Sequence, residues 1–216
     1  MEDRVRNYIV ILVVLALMPI LACGGGDQNG AAGEARIVQQ FLDNILQEGD
    51  LSEPFAMLVS EERMAVGMHE GFYDLVTGKD DENVSEDVRL WRVKIDAIVP
   101  VPENVLSYEV GDATGEGDTL DVPVTFSIAT DNLDDFLLMN IDPETYEKMN
   151  RLDSLDMPFE EKKQIIRDVI SQAKSAVKGK TFEMETKTVD FYLIKQDGAW
   201  KVSFLRTGLL NALSGL

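Results

Sequence analysis

The sequence predicts an α+β fold in which N-terminal helices pack on a curved, mainly antiparallel sheet, with a helical insertion before the last two strands. Apolar residues recur every three to four positions at the start of the folded region. They alternate with polar residues across the middle and near the end, and return to helical spacing at residues 158–177. Helices and strands that are segregated along the chain favour α+β architecture over alternating α/β units.

The apolar run at residues 8–21 is typical of an export signal. It is 14 residues long, whereas a membrane-spanning helix needs roughly 20 and the apolar part of a signal peptide has about 7–15. Arg4 and Arg6 precede it, as in the positively charged start of a signal peptide. Pro19 disfavours helix close to the expected cleavage point.

The residues Ile20-Leu21-Ala22-Cys23-Gly24 resemble the lipobox of bacterial lipoproteins. The resemblance implies that Cys23 receives a diacylglycerol thioether and that cleavage follows Ala22. The alternatives are an ordinary signal peptide cut at Ala22 and an uncleaved anchor. We expect a lipoprotein signal peptide at 1–22, lipidation at Cys23 and a flexible, glycine-rich tether at 23–33.

This anchor implies an extracytoplasmic protein, in the periplasm or on the cell surface. Gly24 rather than aspartate follows the cysteine, which favours the outer membrane if the source is Gram-negative, and the cell membrane is the alternative. Residues 34–216 are expected to form one domain.

The first helix is predicted at residues 34–47 by apolar pairs that recur every four positions. Gly49 ends it, and Asp50 or Ser52 caps a second helix. A third short helix is predicted at 68–76, before a polar loop at 78–86.

The alternating residues 89–99 predict the first strand. Residues 106–110 predict the second, and residues 120–128 the third, with a loop at 111–118 between them. Pro123 cannot donate to a ladder, which indicates an edge position or a bulge in the third strand.

The segment 131–179 is the predicted insertion. It contains a helical turn at 143–149 and an amphipathic helix at 158–177, which ends at Gly179. We expect this helix to cover the second face of the sheet, where Tyr192 and Ile194 lie.

The last two strands are predicted to form a hairpin that turns at Gln196-Asp197-Gly198. Phe182 and Met184 have the opposite parity to the apolar residues that follow them in the same strand, which indicates a bulge. Trp200, Val202 and Phe204 alternate in the return strand.

The opening "IVQQFLDNILQEGDLSEPFAMLVSEE" and the closing "VDFYLIKQDGAWKVSFL" resemble the first helices and the last strands of NTF2-like, or cystatin-like, domains. The resemblance covers residues 35–130 and 180–206. It implies a curved sheet that wraps around the helices and leaves a cone-shaped cavity. Some members use the cone as an enzyme site, others bind apolar ligands there, and others contact proteins through the sheet, so the fold does not choose the function.

Charge and composition exclude several kinds of partner and site. A net charge of −19 and a pI of about 4.3 repel nucleic acid and anionic lipid head groups. The single cysteine excludes an intramolecular disulfide, and the single histidine excludes a histidine-rich metal site.

Isomerase-like members of the family use a pocket aspartate with a tyrosine or a protonated aspartate. No spacing selects such a pair here, and packing accounts for each candidate. His69 is the single candidate imidazole base. The candidate hydroxyl donors are Tyr73, Tyr108, Tyr146 and Tyr192.

Two further groups of residues favour structural roles. The acidic loop lacks the calcium-loop pattern and is expected to be solvated; it carries Asp112, Glu116, Asp118 and Asp121. A set of flexible apolar side chains is expected to fill the core, with an adaptable groove as the alternative. This set is Met64, Met68, Leu138, Met139, Met149 and Met157.

The sequence therefore predicts a lipid-anchored envelope lipoprotein with a non-enzymatic binding or interaction domain. The expected partners are the membrane, through Cys23, and an apolar small ligand or an envelope protein, with no cofactor, metal or nucleic acid. The alternative is a small-molecule lyase or isomerase acting in the cone, with an aspartate, a tyrosine or His69. A third hypothesis is a structural assembly subunit.

Overall fold

The computed structural model describes residues 33–67, 84–130, 136, 139–152 and 156–207. The helices before the sheet are α1 (Ala35–Asp43), which continues as a π-helical turn at Asn44–Glu48, α2 (Ser52–Met57), α3 (Ser60–Gly67) and α4 (Glu86–Ile98). The first strands are β1 (Leu106–Val110), β2 (Thr114–Glu116) and β3 (Thr119–Ala129). After them come α5 (Pro143–Met149), α6 (Phe159–Val177), β4 (Met184–Gln196), β5 (Ala199–Ser203) and α7 (Phe204–Thr207).

The strands form one curled, antiparallel sheet in the order β1-β3-β4-β5, with β2 paired to β3 beyond the end of β1. The N-terminal helices pack on this sheet, and α5 and α6 lie between β3 and β4 in the chain. The predicted fold class is therefore confirmed, including the helical insertion before the last two strands.

The first helix forms as its apolar stripe predicts. Val38, Phe41 and Leu42 are buried in the main core against the sheet. Gly49 ends the helical segment with a φ of 65°, a conformation that glycine adopts without strain. The Asp50 carboxylate then accepts hydrogen bonds from the N–H (2.8 Å) and the hydroxyl (2.6 Å) of Ser52. These bonds, the hydroxyl's first, lower the pKa of Asp50. Leu51 occupies the N-cap position of α2 and makes no side-chain cap, so the cap predicted at Asp50 or Ser52 is wrong, and Asp50 instead binds the first residue of the helix.

The strand predicted at residues 89–99 is wrong, because this segment is the helix α4. Ser85 caps it, accepting a hydrogen bond from the Val88 N–H at 3.4 Å. Ile95 is buried in the main core, whereas Val93 packs with Ile166 of α6 in a separate cluster. Residues i and i+2 of a helix are separated by about 200° of rotation, so they lie on nearly opposite sides. A helix that is buried on two opposite sides therefore shows the same alternation of apolar and polar residues as a strand.

Pro123 lies in the central strand β3 and pairs with Asp190 of β4 in an uninterrupted register, so its predicted edge position is wrong. The irregularity lies in the neighbouring segment 111–113, opposite Pro123, and not in β3 itself. Three residues between β1 and β2 lie opposite two residues of β3, since Val110 pairs with Val124 and Thr114 with Asp121. The Pro123 carbonyl accepts from the Gly111 N–H at 2.7 Å on this side. A Cβ on Gly111 would come within 2.9 Å of the Pro123 ring, so the close approach requires glycine. The loop predicted here also contains β2.

The bulge predicted in β4 is wrong. Its pairing with β3 runs without interruption from Thr119↔Ile194 to Ala129↔Met184. The parity changes because the strand is packed on both faces. Val189 faces the main core, whereas Met184 lies with Ala129 and the insertion helices in a second cluster.

The helix α6 packs against α4 and against the Ala129–Met184 end of the sheet. Among the described residues, the clusters that contain α6 include neither Tyr192 nor Ile194. The prediction that this helix covers those two side chains is therefore wrong.

The closing hairpin turns as predicted, with a positive φ at Asp197 (52°) and Gly198 (81°) between Gln196 and Ala199. The return strand is one residue shorter than predicted, because Phe204 begins α7. The short helix predicted at 68–76 lies outside the described residues.

Candidate functional site

A tyrosine–aspartate pair joins α1 to the edge strand β1. The Tyr108 hydroxyl donates to the Asp43 carboxylate at 2.6 Å. Gln39 Nε2 donates to the Tyr108 hydroxyl at 2.8 Å and to the two Asp43 oxygens at 3.2 and 3.1 Å. Gln39 and Asp43 are four residues apart, which places them on the same side of a helix.

Of the four candidate tyrosines, the structure thus pairs Tyr108 with a carboxylate, and the sequence reasoning missed Asp43 and Gln39. The signal available in the sequence was their i, i+4 spacing beside the apolar stripe of α1. Their partner Tyr108 follows 65 residues after Asp43, and no local pattern indicates a contact over that separation.

The hydrogen-bonding capacity of this cluster is largely committed to its own members. A phenol has one proton to donate, and the proton of Tyr108 goes to Asp43. A ligand oxygen could receive that proton only by displacing the carboxylate. Tyr108 itself is 8% exposed. The arrangement therefore fits a tie between helix and sheet better than an open donor site.

Side chains fill the space between α1 and the concave face of the sheet. An aromatic row crosses it, with ring centroids 6.2 Å apart for Tyr108 and Phe126, 6.5 Å for Phe126 and Phe191, and 6.3 Å for Phe191 and Phe41. Phe126 and Phe191 are both 0% exposed. In the described part of the chain, core side chains thus occupy the region where a cone-shaped cavity was expected.

The other candidate donors are not brought to this cluster. Tyr146 packs in the insertion cluster. Tyr192 is half-buried on β4, where its backbone N–H donates to the Thr207 hydroxyl at 3.4 Å. Tyr73 and His69 lie outside the described residues.

The acidic loop is a solvated hairpin around β2. Asp112, Glu116 and Asp118 are exposed, and Asp121 is half-buried in β3. In the described ranges, no group of three or more His, Cys, Asp or Glu residues is arranged to hold a metal ion.

The methionines divide between core and surface. Met149 and Met157 are buried in the insertion cluster, as core filling predicts. Met64 is exposed, and Met139 is 84% exposed. Met68 and Leu138 lie outside the described residues.

Met139 lines a surface groove of about 730 Å³ between residues 139–143 and α6. We call it the Met139 groove. Asp142 holds its wall in place by accepting from the N–H (2.9 Å) and the hydroxyl (2.7 Å) of Thr145 and from the Gln172 amide. These hydrogen bonds, the Thr145 hydroxyl's first, lower the pKa of Asp142 to about 2, so the carboxylate is ionised at neutral pH.

A second groove of about 470 Å³ lies between the C-terminal end of α4 and α6. We call it the Arg167 groove. The two grooves adjoin, since both include Ser171 and Ser175. The residues that line the Arg167 groove are Asp96, Ala97, Arg167, Ser171, Lys174, Ser175 and Lys178.

The predicted signal peptide and Cys23 lie outside the described residues. Within the described ranges, none of the helices combines the length and the apolar character that crossing a membrane requires.

Comparison of the chain with protein-family models, with curated proteins and with solved structures returns no match.

Proposed function

We propose that the protein is a lipid-anchored lipoprotein of the cell envelope whose α+β domain is a non-enzymatic binding or interaction module. The observation that carries the binding role is the filled concave face, where Phe126 and Phe191 are fully buried. A reaction in the cone would need room for a substrate beside a catalytic group. Surface grooves beside α6 supply the concave sites instead.

The anchor rests on the sequence around Cys23, where an apolar run too short to span a bilayer meets a small residue and a cysteine. The glycine-rich residues after it suit a tether. The acidic domain would be repelled by anionic head groups, so attachment through acyl chains fits its charge better than attachment through its surface.

The test of the anchor is metabolic labelling with an alkyne fatty acid in a bacterial host, followed by mass measurement of the mature N-terminus. The wild-type chain and a Gly24→Ala control should incorporate the label, and Cys23→Ala should not. Label in Cys23→Ala, or an unlabelled wild-type chain cut elsewhere, would contradict the proposal.

A second candidate function, a small-molecule lyase or isomerase, is favoured by one observation. This is the 2.6 Å bond between Tyr108 and Asp43, which pairs an acid–base couple of the required types. The experiment is a turnover screen with carbonyl compounds. Activity that disappears in Asp43→Asn, with the fold unchanged by circular dichroism, would favour the enzyme, and its survival in that variant would remove this pair from consideration.

A further inference from the structure

Basic residues concentrate on one helix of this acidic protein. The chain has 20 basic and 39 acidic residues. Residues 162–180 carry six of the basic residues and a single acidic one. This segment is α6 without its first turn, which carries Glu160 and Glu161, together with the turn that follows the helix. The locally positive surface therefore belongs to the later part of α6 and that turn.

Three of these cations line the Arg167 groove. Arg167, Lys174 and Lys178 follow one another at i, i+7 and i+11, with Ser171 and Ser175 between them. Arg167 and Lys174 are about two turns apart on one side of α6, and Lys178 is the C-cap residue directly after the helix. The groove therefore offers cationic groups and hydroxyl donors.

The cations differ in what they already bind. Lys174 Nζ donates to the carbonyls of Ala97 and Val99, at 3.2 Å each, and is held in place at the end of α4. Arg167 and Lys178 form no ion pair with any residue of the described ranges. Both are exposed, so their charges are available to a ligand.

The one carboxylate that lines the groove is already paired. Asp96 lies 3.1 Å from the Arg92 guanidinium, one turn earlier in α4. Its negative charge is therefore already compensated by Arg92, and it does not neutralise Arg167 or Lys178. The groove thus has three cationic side chains in its lining and one carboxylate, which is paired.

We propose that the Arg167 groove binds the phosphate group of a small ligand, through Arg167 and Lys178 with the Ser171 and Ser175 hydroxyls as further donors. Guanidinium and ammonium groups give the charge-assisted hydrogen bonds that phosphate favours. The net charge of −19 disfavours extended polyanions, whereas a small anion experiences mainly the nearby cations, because charges beyond about 8 Å are screened at physiological salt.

This inference names a ligand class for the proposed binding module and rests on that proposal. The test is isothermal titration of the full chain in neutral detergent with inorganic phosphate and with glycerol 3-phosphate. A parallel arm measures how much more of the chain co-sediments with phosphatidylcholine vesicles that contain phosphatidylglycerol than with vesicles that lack it. An acyl anchor on Cys23 contributes equally to both, so the difference separates a lipid head group from a soluble phosphate.

The variants are Arg167→Gln, Lys178→Gln and, as matched control, Lys163→Gln. Lys163 is on the same helix but pairs with Glu160 at 3.4 Å and does not line the groove. We expect Arg167→Gln and Lys178→Gln each to raise the Kd for the phosphate probe about tenfold, since hydrogen bonds to charged groups are the stronger class. Lys163→Gln should change it by less than about twofold.

Equal weakening by all three substitutions would mean that net charge alone acts, and would overturn the inference. So would the absence of binding to both soluble probes, whatever the result with vesicles, because the net charge of −19 disfavours a charged membrane surface. Binding to a soluble probe and to the phosphatidylglycerol vesicles, with both lost in Arg167→Gln, would support the groove and add a lipid head group as a source of the phosphate. If the phosphate probes do not bind but Cys23 still incorporates the fatty acid, the groove inference is wrong and the proposal of a lipid anchor is unaffected.

Discussion

At the residue scale, Tyr108 connects the first helix to the edge of the sheet. Its hydroxyl donates to Asp43 at 2.6 Å and accepts from Gln39 at 2.8 Å. Tyr108→Phe keeps the ring against Phe126 but leaves the half-buried Asp43 carboxylate without its closest donor. A partner lost from a buried polar group costs about 1–3 kcal/mol, so we expect the free energy of unfolding to fall by about that amount in urea titrations.

Tyr192→Phe is the matched control for this substitution. Tyr192 lies in the same sheet, and its hydroxyl forms no hydrogen bond with the described residues. Its loss should change stability by less than about 0.5 kcal/mol. Equal effects of the two substitutions would contradict a specific role for the Tyr108–Asp43 bond.

At the element scale, Asp142 joins two helices of the insertion. Its carboxylate accepts from Thr145 at the start of α5 and from Gln172 of α6. Because its folded pKa of about 2 lies below the ordinary 3.8, its stabilising effect is present above about pH 4 and is lost as the pH falls toward 2. We therefore expect Asp142→Asn to lose less stability than the wild type between about pH 5 and pH 2, measured as the shift of the urea midpoint.

Asp156→Asn provides the comparison for this pH series. Asp156 is exposed, and its side chain forms no hydrogen bond with the described residues. This variant should follow the wild-type pH dependence. If Asp142→Asn followed it as well, the hydrogen bonds to Thr145 and Gln172 would not be the source of the acid sensitivity.

How far the sequence predicts each element depends on how many of its faces are buried. The helices α1 and α6 and the closing hairpin were predictable because polar residues mark their solvent side. The prediction of a strand at 89–99 was wrong because Val93 and Ile95 pack against different neighbours on two sides of one helix. The prediction of a bulge near the start of β4 was wrong because Met184 packs on the opposite face of the sheet from Val189.

The candidate sites follow the same limit. The cations of the Arg167 groove are close in the chain, on α6 and at its C-cap, but the sequence does not show that the end of α4 forms the other wall. The Gln39–Asp43–Tyr108 cluster joins residues from two separate elements. Patterns within one element cannot indicate contacts that the packing of two elements creates.

At the scale of the whole molecule, a net charge of −19 destabilises the folded state through repulsion among its own carboxylates. The exposed acids of the β2 hairpin contribute without compensation, since Asp112 and Glu116 form no ion pair with the described residues. Other acids are compensated locally. Glu144 lies 2.6 Å from Lys148, and Glu160 lies 3.4 Å from Lys163.

Two double variants that remove the same number of carboxylates test this difference, because each changes the net charge by the same amount. Asp112→Asn with Glu116→Gln removes repulsion only, so we expect the melting temperature to rise at low salt. Glu144→Gln with Glu160→Gln removes the same charge but also breaks two ion pairs. It also removes two negative charges from the first turns of α5 and α6, where the helix dipole makes them stabilising. We expect this second variant to melt at or below the wild-type temperature.

The salt dependence distinguishes the two contributions. The Debye length falls from about 30 Å at 0.01 M to about 8 Å at 0.15 M salt, so added salt should stabilise the wild type and reduce the advantage of the hairpin variant. If both variants instead gained equal stability at low salt, the molecule would respond to its total charge alone. The positive surface of α6 would then lose its physical basis, because a local field such as that of the Arg167 groove requires that nearby charges outweigh the distant ones.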